Sequence, residues 1–279
     1  MPSADNSILR LPGADAPRPA PRVLPRFPAP LGLVLPLIAL AAWEFAGARA
    51  WLPGNLLPAP TVIVVTLADL AKSGELVDHV LATTIRVAAG FALGIAAATI
   101  LGALCGAVPL ARRLLDPSIQ GLKSVPSLAW VPLFILWFGI FETSKVLLIA
   151  VGVFFPVYLA LAAGIPGVDR KLVEVARVYR YSTAALVRRV LLPAVLPTYF
   201  IGLRSGLALG WMFVVASELM GASQGLGYLL VDGQQTGKPA IIIASIILFA
   251  ILGKATDVLL AAAAAWALRW QDSFKPQTP

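Results

Sequence analysis

Long apolar runs constrain this sequence more than any other feature. Six stretches carry few charges and reach the length of about 20 residues that an α-helix needs to cross a bilayer. The predicted spans are residues 31–50, 81–108, 119–140, 146–164, 194–220 and 240–266. The chain is only 13% charged, whereas soluble domains carry about 25% charged residues. The sequence therefore predicts an all-α integral membrane protein with about six transmembrane helices.

The remaining segments divide the chain around these spans. Residues 1–30 are rich in proline, alanine and arginine without an apolar period, which predicts a disordered basic tail. Residues 31–80 are expected to hold the first transmembrane helix and an outer amphipathic segment. The main transmembrane domain is expected over 81–266, followed by a second tail at 267–279.

The positions of lysine and arginine predict the orientation in the membrane. With a cytoplasmic N-terminus, fourteen of the 22 basic residues fall inside and four fall outside. Because positive residues are enriched in cytoplasmic loops, both termini and the polar segment at 164–197 are expected in the cytoplasm. The localisation expected is the inner, or plasma, membrane of a bacterium, crossed several times.

Small residues and prolines mark two further patterns within the spans. Small residues recur at every fourth position in two spans, and this spacing lets helices approach closely. They are Gly90, Gly94, Ala98, Gly102 and Gly106 in one span, and Thr198, Gly202, Gly206 and Gly210 in the other. Pro126, Pro132 and Pro156 interrupt other spans, as in helices that line a cavity. Packing within one subunit and a subunit interface beside a pathway both remain open for these residues.

Charged residues also fall within or near the ends of the spans. They are Glu44, Lys123, Arg204, Glu218, Lys254 and Asp257. Lys254 and Asp257 are three residues apart, so they are expected to pair on one helix. Lys123 and Arg204 are expected near cytoplasmic ends, where long side chains reach the interface. Arg204 and Glu218 join the prolines and the glycines 202, 206 and 210 as candidates for a translocation path or subunit interface.

Several classes of function lack the residues that they need. One histidine and one cysteine leave little for metal, thiol or general-base chemistry, so no catalytic residue, metal site or cofactor is expected. Residues 233–238 resemble a phosphate-binding loop, but they lack one spacer residue and the Ser or Thr after the lysine. The basic residues behind the net charge of +8 are distributed as expected for the loops of a membrane protein, so no nucleic-acid partner is expected. If this chain moves a solute across the membrane against its concentration gradient, the energy must therefore come from a separate ATPase.

The polar segment predicts two short amphipathic helices. Leu172, Val173, Ala176 and Tyr179 share one face of the first, with charged residues on the rest. Ser182 is the expected N-cap of the second. That helix should turn Leu186, Val190 and Leu191 inward and Arg188 and Arg189 outward, and it should end at Pro193.

This segment resembles the cytoplasmic signature of type I ABC importer permeases. That signature begins with Glu-Ala-Ala and closes with Leu-Pro; here Glu174-Val175-Ala176 and Leu192-Pro193 stand at the same spacing. The resemblance implies a helix-turn-helix coupling loop, residues 165–193, on which the ATPase docks. The coupling residues that it implies are Glu174, Val175, Ala176, Arg177, Arg180, Leu186, Leu192 and Pro193. Arg180 replaces the glycine of the turn, so either the turn differs or Arg180 is strained.

Other stretches resemble the nitrate/sulfonate/taurine subgroup, and aliphatic-sulfonate permeases in particular. They are residues 57–60, 133–140, 155–158, 174–177, 221–229 and 252–254. The resemblance implies two ATPase subunits, a periplasmic or lipid-anchored solute-binding protein and a second permease copy, which together import a small anionic solute.

Three alternatives compete with this interpretation. The polar segment could rest on anionic lipid headgroups instead of docking an ATPase. The chain could be a secondary transporter or channel that works alone, which would favour inverted repeats and an acidic site within the membrane. An intramembrane enzyme is the third alternative, although one histidine and one cysteine offer it little chemistry.

Overall fold

The computed structural model describes residues 31–49, 51, 53–126 and 129–270, and all regular secondary structure within them is helical. The elements are α1 (Leu31–Ala48), α2 (Pro60–Ser73), α3 (Glu75–Ala107), α4 (Pro109–Lys123), α5 (Trp130–Phe138), α6 (Glu142–Gly164), α7 (Arg170–Val178), α8 (Thr183–Leu186), a π-helical turn (Val187–Leu191), α9 (Leu192–Leu219), α10 (Leu226–Gln235) and α11 (Pro239–Ala267). One unit of the chain ends at Trp43 and a second begins at Glu44. The predicted tail at 1–30 and residues 271–279 of the other tail lie outside the described residues.

Within the described residues, four helical segments are long and apolar enough to cross a membrane. They are α3, α6, the segment Val187–Leu219 that contains α9, and α11. Each has at least 23 residues, which exceeds the about 20 residues required. These helices confirm four of the predicted spans, with small shifts at their ends. Helix α1 is apolar but shorter.

Helices α3 and α6 run parallel and pack closely through the small residues of α3. A Cβ atom at Gly90 would lie 2.6 Å from the Cβ atom of Ile149, in the first third of α6. At the other end, a Cβ atom at Gly106 would lie 2.9 Å from that of Ile165, just after α6. Because the two helices are parallel, the segment between them must return along the length of the bundle.

The return segment corrects the predicted span 119–140, which is not one continuous helix. Helix α4 ends at Lys123, and α5 begins only at Trp130 and has nine residues. Pro126 lies in the break, where its missing N–H and the restriction on the preceding residue oppose continuation of a helix. Helices α4 and α5 together therefore occupy the place where the sequence predicted one span.

Helix α9 packs antiparallel to α6 through the predicted stripe of small residues. A Cβ atom at Gly202 would lie 2.5 Å from that of Ala160, and Gly152 of α6 lies against Phe213 farther along α9. Gly206 and Gly210 also face α6. In this chain the stripe thus serves packing within one subunit. The coupling loop consequently lies at the same end of the bundle as the C-terminal end of α3.

The prediction that Pro193 ends the second helix of the polar segment is wrong. The chain remains helical from Thr183 to Leu219 because the π-helical turn joins α8 to α9. The N–H of Leu192 donates to the carbonyl of Val187, five residues earlier. Pro193 then falls in the first turn of α9, where its missing N–H is tolerated.

Candidate functional site

The first helix of the coupling loop presents apolar side chains to the outside. The carboxylate of Asp169 caps α7 by accepting a hydrogen bond from the N–H of Lys171 at 2.9 Å. Of the residues predicted to share one face of this helix, Ala176 is buried, whereas Leu172 and Tyr179 are exposed. Val175 and Val178 are exposed as well. An apolar patch on a helix that is already packed is typical of a surface that binds another protein.

Glu174 lies on the exposed surface of α7 beside this patch. Its carboxylate accepts from Arg170 Nε at 3.0 Å, one helical turn earlier. Both side chains are largely exposed, so this pair stabilises the helix only weakly, by about 0.3–0.5 kcal/mol. Arg177 is exposed two turns after Arg170. The charged side chains of α7 are therefore accessible to a partner protein, because they are neither buried nor strongly paired inside the chain.

The turn after α7 resolves the question raised by Arg180. Arg180 has a φ of 54°, and among the described residues it is the one non-glycine residue with a positive φ. Its N–H donates to the carbonyl of Arg177 at 2.9 Å, and that of Tyr181 donates to Ala176 at 3.1 Å. This pair of bonds defines a Schellman motif, in which the left-handed position favours glycine. Arg180 is therefore strained, while the expected turn geometry is kept.

The second helix of the coupling loop begins as the sequence predicted. The hydroxyl of Ser182 accepts from the N–H of Ala185 at 3.3 Å, which confirms Ser182 as the N-cap. Leu186 and Pro193 are half-buried, and Leu192 is exposed. The predicted coupling residues thus lie on two helices joined by one tight turn.

A cavity of about 370 Å³ separates α7 from the helix that follows. It is lined by Leu172, Val175, Ala176, Tyr179, Tyr181, Arg189, Val190, Pro193, Ala194 and Trp270. Trp270 follows α11, so three separate parts of the chain meet here. The cavity continues the exposed patch of α7, and together they form the largest apolar feature of the coupling loop.

A buried network of charges lies at the opposite end of the bundle. Glu218 of α9 is 1% exposed and accepts from Arg86 Nη1 of α3 at 2.7 Å. Arg86 also donates through Nε to Glu142 of α6 at 2.6 Å, and Lys145 donates to the same carboxylate at 2.9 Å. These pairs tie three helices together, so Glu218 has a packing role within this chain.

The same network holds the glycine-rich loop at residues 221–227. The N–H of Gly227 donates to Glu218 Oε2 at 2.8 Å, and that of Gly225 donates to Nδ1 of His79 at 3.0 Å. Gly225 has a φ of 121°, and a Cβ atom there would lie 2.5 Å from Glu218 Oε1. The loop is thus fixed to α3 and α9 rather than being a freely flexible turn.

Arg204 is paired in a way that the sequence did not predict. Its Nε and Nη2 atoms donate to the two carboxylate oxygens of Asp257 on α11 at 2.8 and 2.9 Å. Lys254 lies farther from Asp257, at 3.7 Å. Arg204 is twelve residues into α9, so the expected position near a helix end is wrong. Arg204 and Lys254 remain partly exposed on the surface of this chain.

The face of α9 that turns away from α6 is also exposed. Its exposed side chains include Ile201, Ser205, Leu209 and Met212. Arg204 lies at one edge of this face. At the other edge, Leu209 lines a cavity of about 430 Å³ that Pro126 and Pro156 also line. Pro132 is exposed on α5.

Sequence reasoning missed three members of the buried network. Arg86 lies inside a predicted span, so a charge within an apolar run was the available signal. Glu142 and His79 lie near helix ends, and nothing in their local sequence reveals partners 56 and 146 residues away. Their roles depend on how the helices pack.

The described residues combine four helices long enough to cross a membrane with an exposed apolar patch on α7. Residues 82–267 match the family described as "Binding-protein-dependent transport system inner membrane component", and the chain belongs to this family. It is therefore an inner-membrane protein.

Individual relatives agree with this assignment. The chain is 43% identical over 244 residues to the aliphatic sulfonates transport permease protein SsuC of Bacillus subtilis (strain 168), covering 88% of both chains. It is 39% identical to SsuC of Escherichia coli (strain K12), covering 86% of this chain and 91% of that protein. The taurine transport system permease protein TauC of the same strain is 31% identical, with coverages of 77% and 80%. The predicted family and subgroup are confirmed.

Proposed function

We propose that this chain forms the translocation pathway of an ATP-driven importer for a small anionic solute. Aliphatic sulfonates are the favoured class because both SsuC relatives are named for them and share the highest identities given above. Taurine and nitrate are the other candidates within the subgroup. The family implies an ABC ATPase and a solute-binding protein as partners. The chain itself supplies the membrane path and hydrolyses no ATP.

The exposed apolar patch of α7 carries this proposal. Leu172, Val175, Val178 and Tyr179 are exposed although they are apolar, and Glu174 lies beside the patch that they form. The resemblance of this segment to the permease signature supports its assignment as the ATPase-docking helix. A groove in each of two ATPase subunits would cover the patch, and the 370 Å³ cavity beside it would receive a side chain from that partner.

The proposed topology has six crossings, with both termini in the cytoplasm. Helices α3, α6, α9 and α11 provide four crossings, and α1 provides another. Helices α4 and α5 together provide the sixth, because parallel packing of α3 and α6 requires the chain to return between them. This layout keeps the proposed domain boundaries, with a transmembrane domain at 81–266 and a coupling loop at 165–193.

The pathway is proposed to lie between two copies of this chain. The exposed face of α9 would turn toward the two-fold axis, because its apolar and polar side chains have no cover within the described chain. Arg204 lies at the edge of that face and Gly202, Gly206 and Gly210 lie on the opposite one. The glycines therefore position α9 against α6, and the exposed face of α9 is the one that would contact the solute.

Reversing the charge of Glu174 tests the docking role. In the complex with its ATPase and binding protein, Glu174→Lys should abolish substrate-stimulated ATP hydrolysis and leave membrane insertion intact. Glu174 makes one weak contact inside the chain, so folding should not change. Asp69→Lys on exposed α2 is the matched control, since it makes the same charge change away from the coupling loop. Unchanged stimulation in Glu174→Lys would contradict the proposed docking surface.

A further inference from the structure

The 430 Å³ cavity lies between α4, α5, α6 and α9. It is bounded by α6 between Gly152 and Leu159, by Phe213 of α9 and by Trp130 of α5. Leu159 lies five residues, or about 8 Å, before the end of α6, and Gly152 lies about 18 Å before it. The volume falls within the range of about 300–1,000 Å³ found for small-molecule sites. The cavity is therefore placed and sized to hold a solute during its passage.

Lys123 brings a positive charge to this largely apolar cavity. It is the last residue of α4, and it lines the wall beside Ser124. None of the ion pairs formed within the described part of the chain includes Lys123. The side chain of Lys123 is exposed in the described chain, so its ammonium group is available to a negative group that enters the cavity.

The rest of the cavity is suited to hydrocarbon. Trp130, Phe155, Leu159 and Phe213 supply aromatic and aliphatic surface from three helices. A cation at one wall and apolar side chains elsewhere complement a ligand with an anionic head and an aliphatic tail. A simple inorganic anion would leave the apolar walls unused.

We propose that this cavity is a transient binding site for alkanesulfonates, with the sulfonate on Lys123 and Ser124 and the alkyl chain among the aromatic residues. The inference rests on the proposed function and adds the site and the orientation of the solute. A solute is proposed rather than a lipid, because the cavity extends along α6 to Gly152, about 18 Å before the end of that helix. Leu209 connects the cavity to the exposed face of α9, which provides a route in and out.

Protection of a cysteine in the cavity tests the site directly. Leu209→Cys is introduced after the single native cysteine is removed by Cys105→Ala, and the permease–ATPase complex is placed in nanodiscs. Octanesulfonate should slow labelling by a neutral maleimide. With Lys123→Gln, half-protection should require roughly 10- to 100-fold more octanesulfonate, as expected for loss of a charged hydrogen bond. Lys123→Arg should restore protection.

Other probes separate the possible occupants. Octanol and inorganic sulfate should each protect poorly, because each supplies only half of the proposed ligand. Equal protection by octanol, or no effect of Lys123→Gln, would overturn the site. Slower labelling in anionic-lipid nanodiscs than in neutral ones, without octanesulfonate, would assign the cavity to lipid and overturn it too. ATP-dependent uptake of octanesulfonate by the complete wild-type transporter tests the proposed function separately: uptake without cysteine protection would refute only the cavity site.

Discussion

Replacing Arg180 with glycine should stabilise the turn of the coupling loop. Arg180 has a φ of 54°, and a residue with a side chain costs roughly 1–2 kcal/mol in this left-handed region. Glycine loses about 0.5–1 kcal/mol more conformational entropy on folding, which offsets part of that gain. We therefore expect Arg180→Gly to stabilise the turn by about 0.5–1 kcal/mol, or about 2- to 5-fold in its local opening equilibrium.

Hydrogen–deuterium exchange measures that equilibrium at the hydrogen bonds of the turn. The amides of residues 180 and 181 donate to the carbonyls of Arg177 and Ala176, so local opening limits their exchange. Arg180→Gly should slow exchange of both amides by about 2- to 5-fold. Arg180→Ala is the matched control, because it removes the guanidinium but keeps the unfavourable φ, and it should leave exchange nearly unchanged. Equal or faster exchange in Arg180→Gly would refute the assignment of strain to this turn.

Three further changes test the packing and the charges of the bundle. Arg86→Ala should lower stability by about 3–5 kcal/mol, read as a lower melting temperature of the purified protein, because it leaves the buried carboxylate of Glu218 without its cation. Asp257→Asn should reduce solute uptake, because it leaves Arg204 without its bidentate partner within the membrane. Gly202→Ala should cost about 1–3 kcal/mol in the same melting experiment, because the new Cβ atom would meet that of Ala160 at 2.5 Å.

Each of these changes has a matched control. Glu142→Gln alters the more exposed partner of Arg86 and should lower the melting temperature less; an equal loss would argue against the buried pair as the main contribution. Exchanging the charges of Arg204 and Asp257 should restore uptake, and failure to do so would show that more than their pairing matters. Gly121→Ala places a Cβ atom where nothing lies within 4 Å, and alanine favours a helix more than glycine does, so it should not lower the melting temperature.

The spans could be predicted because lipid imposes a simple local rule on length and apolarity. Helix α11 agrees with its predicted span to within one residue at each end, whereas α3 and α6 begin six and four residues before theirs. The rule does not indicate where a helix breaks inside an apolar run. Helix α4 ends three residues before Pro126, whereas the helix continues through Pro193 because a π-helical turn precedes it. The local sequence does not distinguish these two outcomes.

The charged residues were harder to assign because their partners are distant in sequence. Lys254 and Asp257 are close neighbours on one helix, so their pairing was a natural prediction. The bidentate geometry of Arg204 gives it the stronger contact with Asp257, across 53 residues. The turn at Arg180 was easier to predict than the charged pairs, because the backbone conformation at a helix end depends on nearby residues.

The π-helical turn has a consequence for how force travels through the protein. Because the chain stays helical from residue 183 to 219, 37 residues form one continuous helical element about 55 Å long. A tilt of about 10° at its coupling end would displace the opposite end by about 10 Å. That opposite end carries Glu218, which holds the glycine-rich loop through Gly227. A small tilt at the end that carries the proposed coupling loop would therefore become a larger displacement at Glu218, and bending at Pro197 or at the π-helical turn would reduce that displacement.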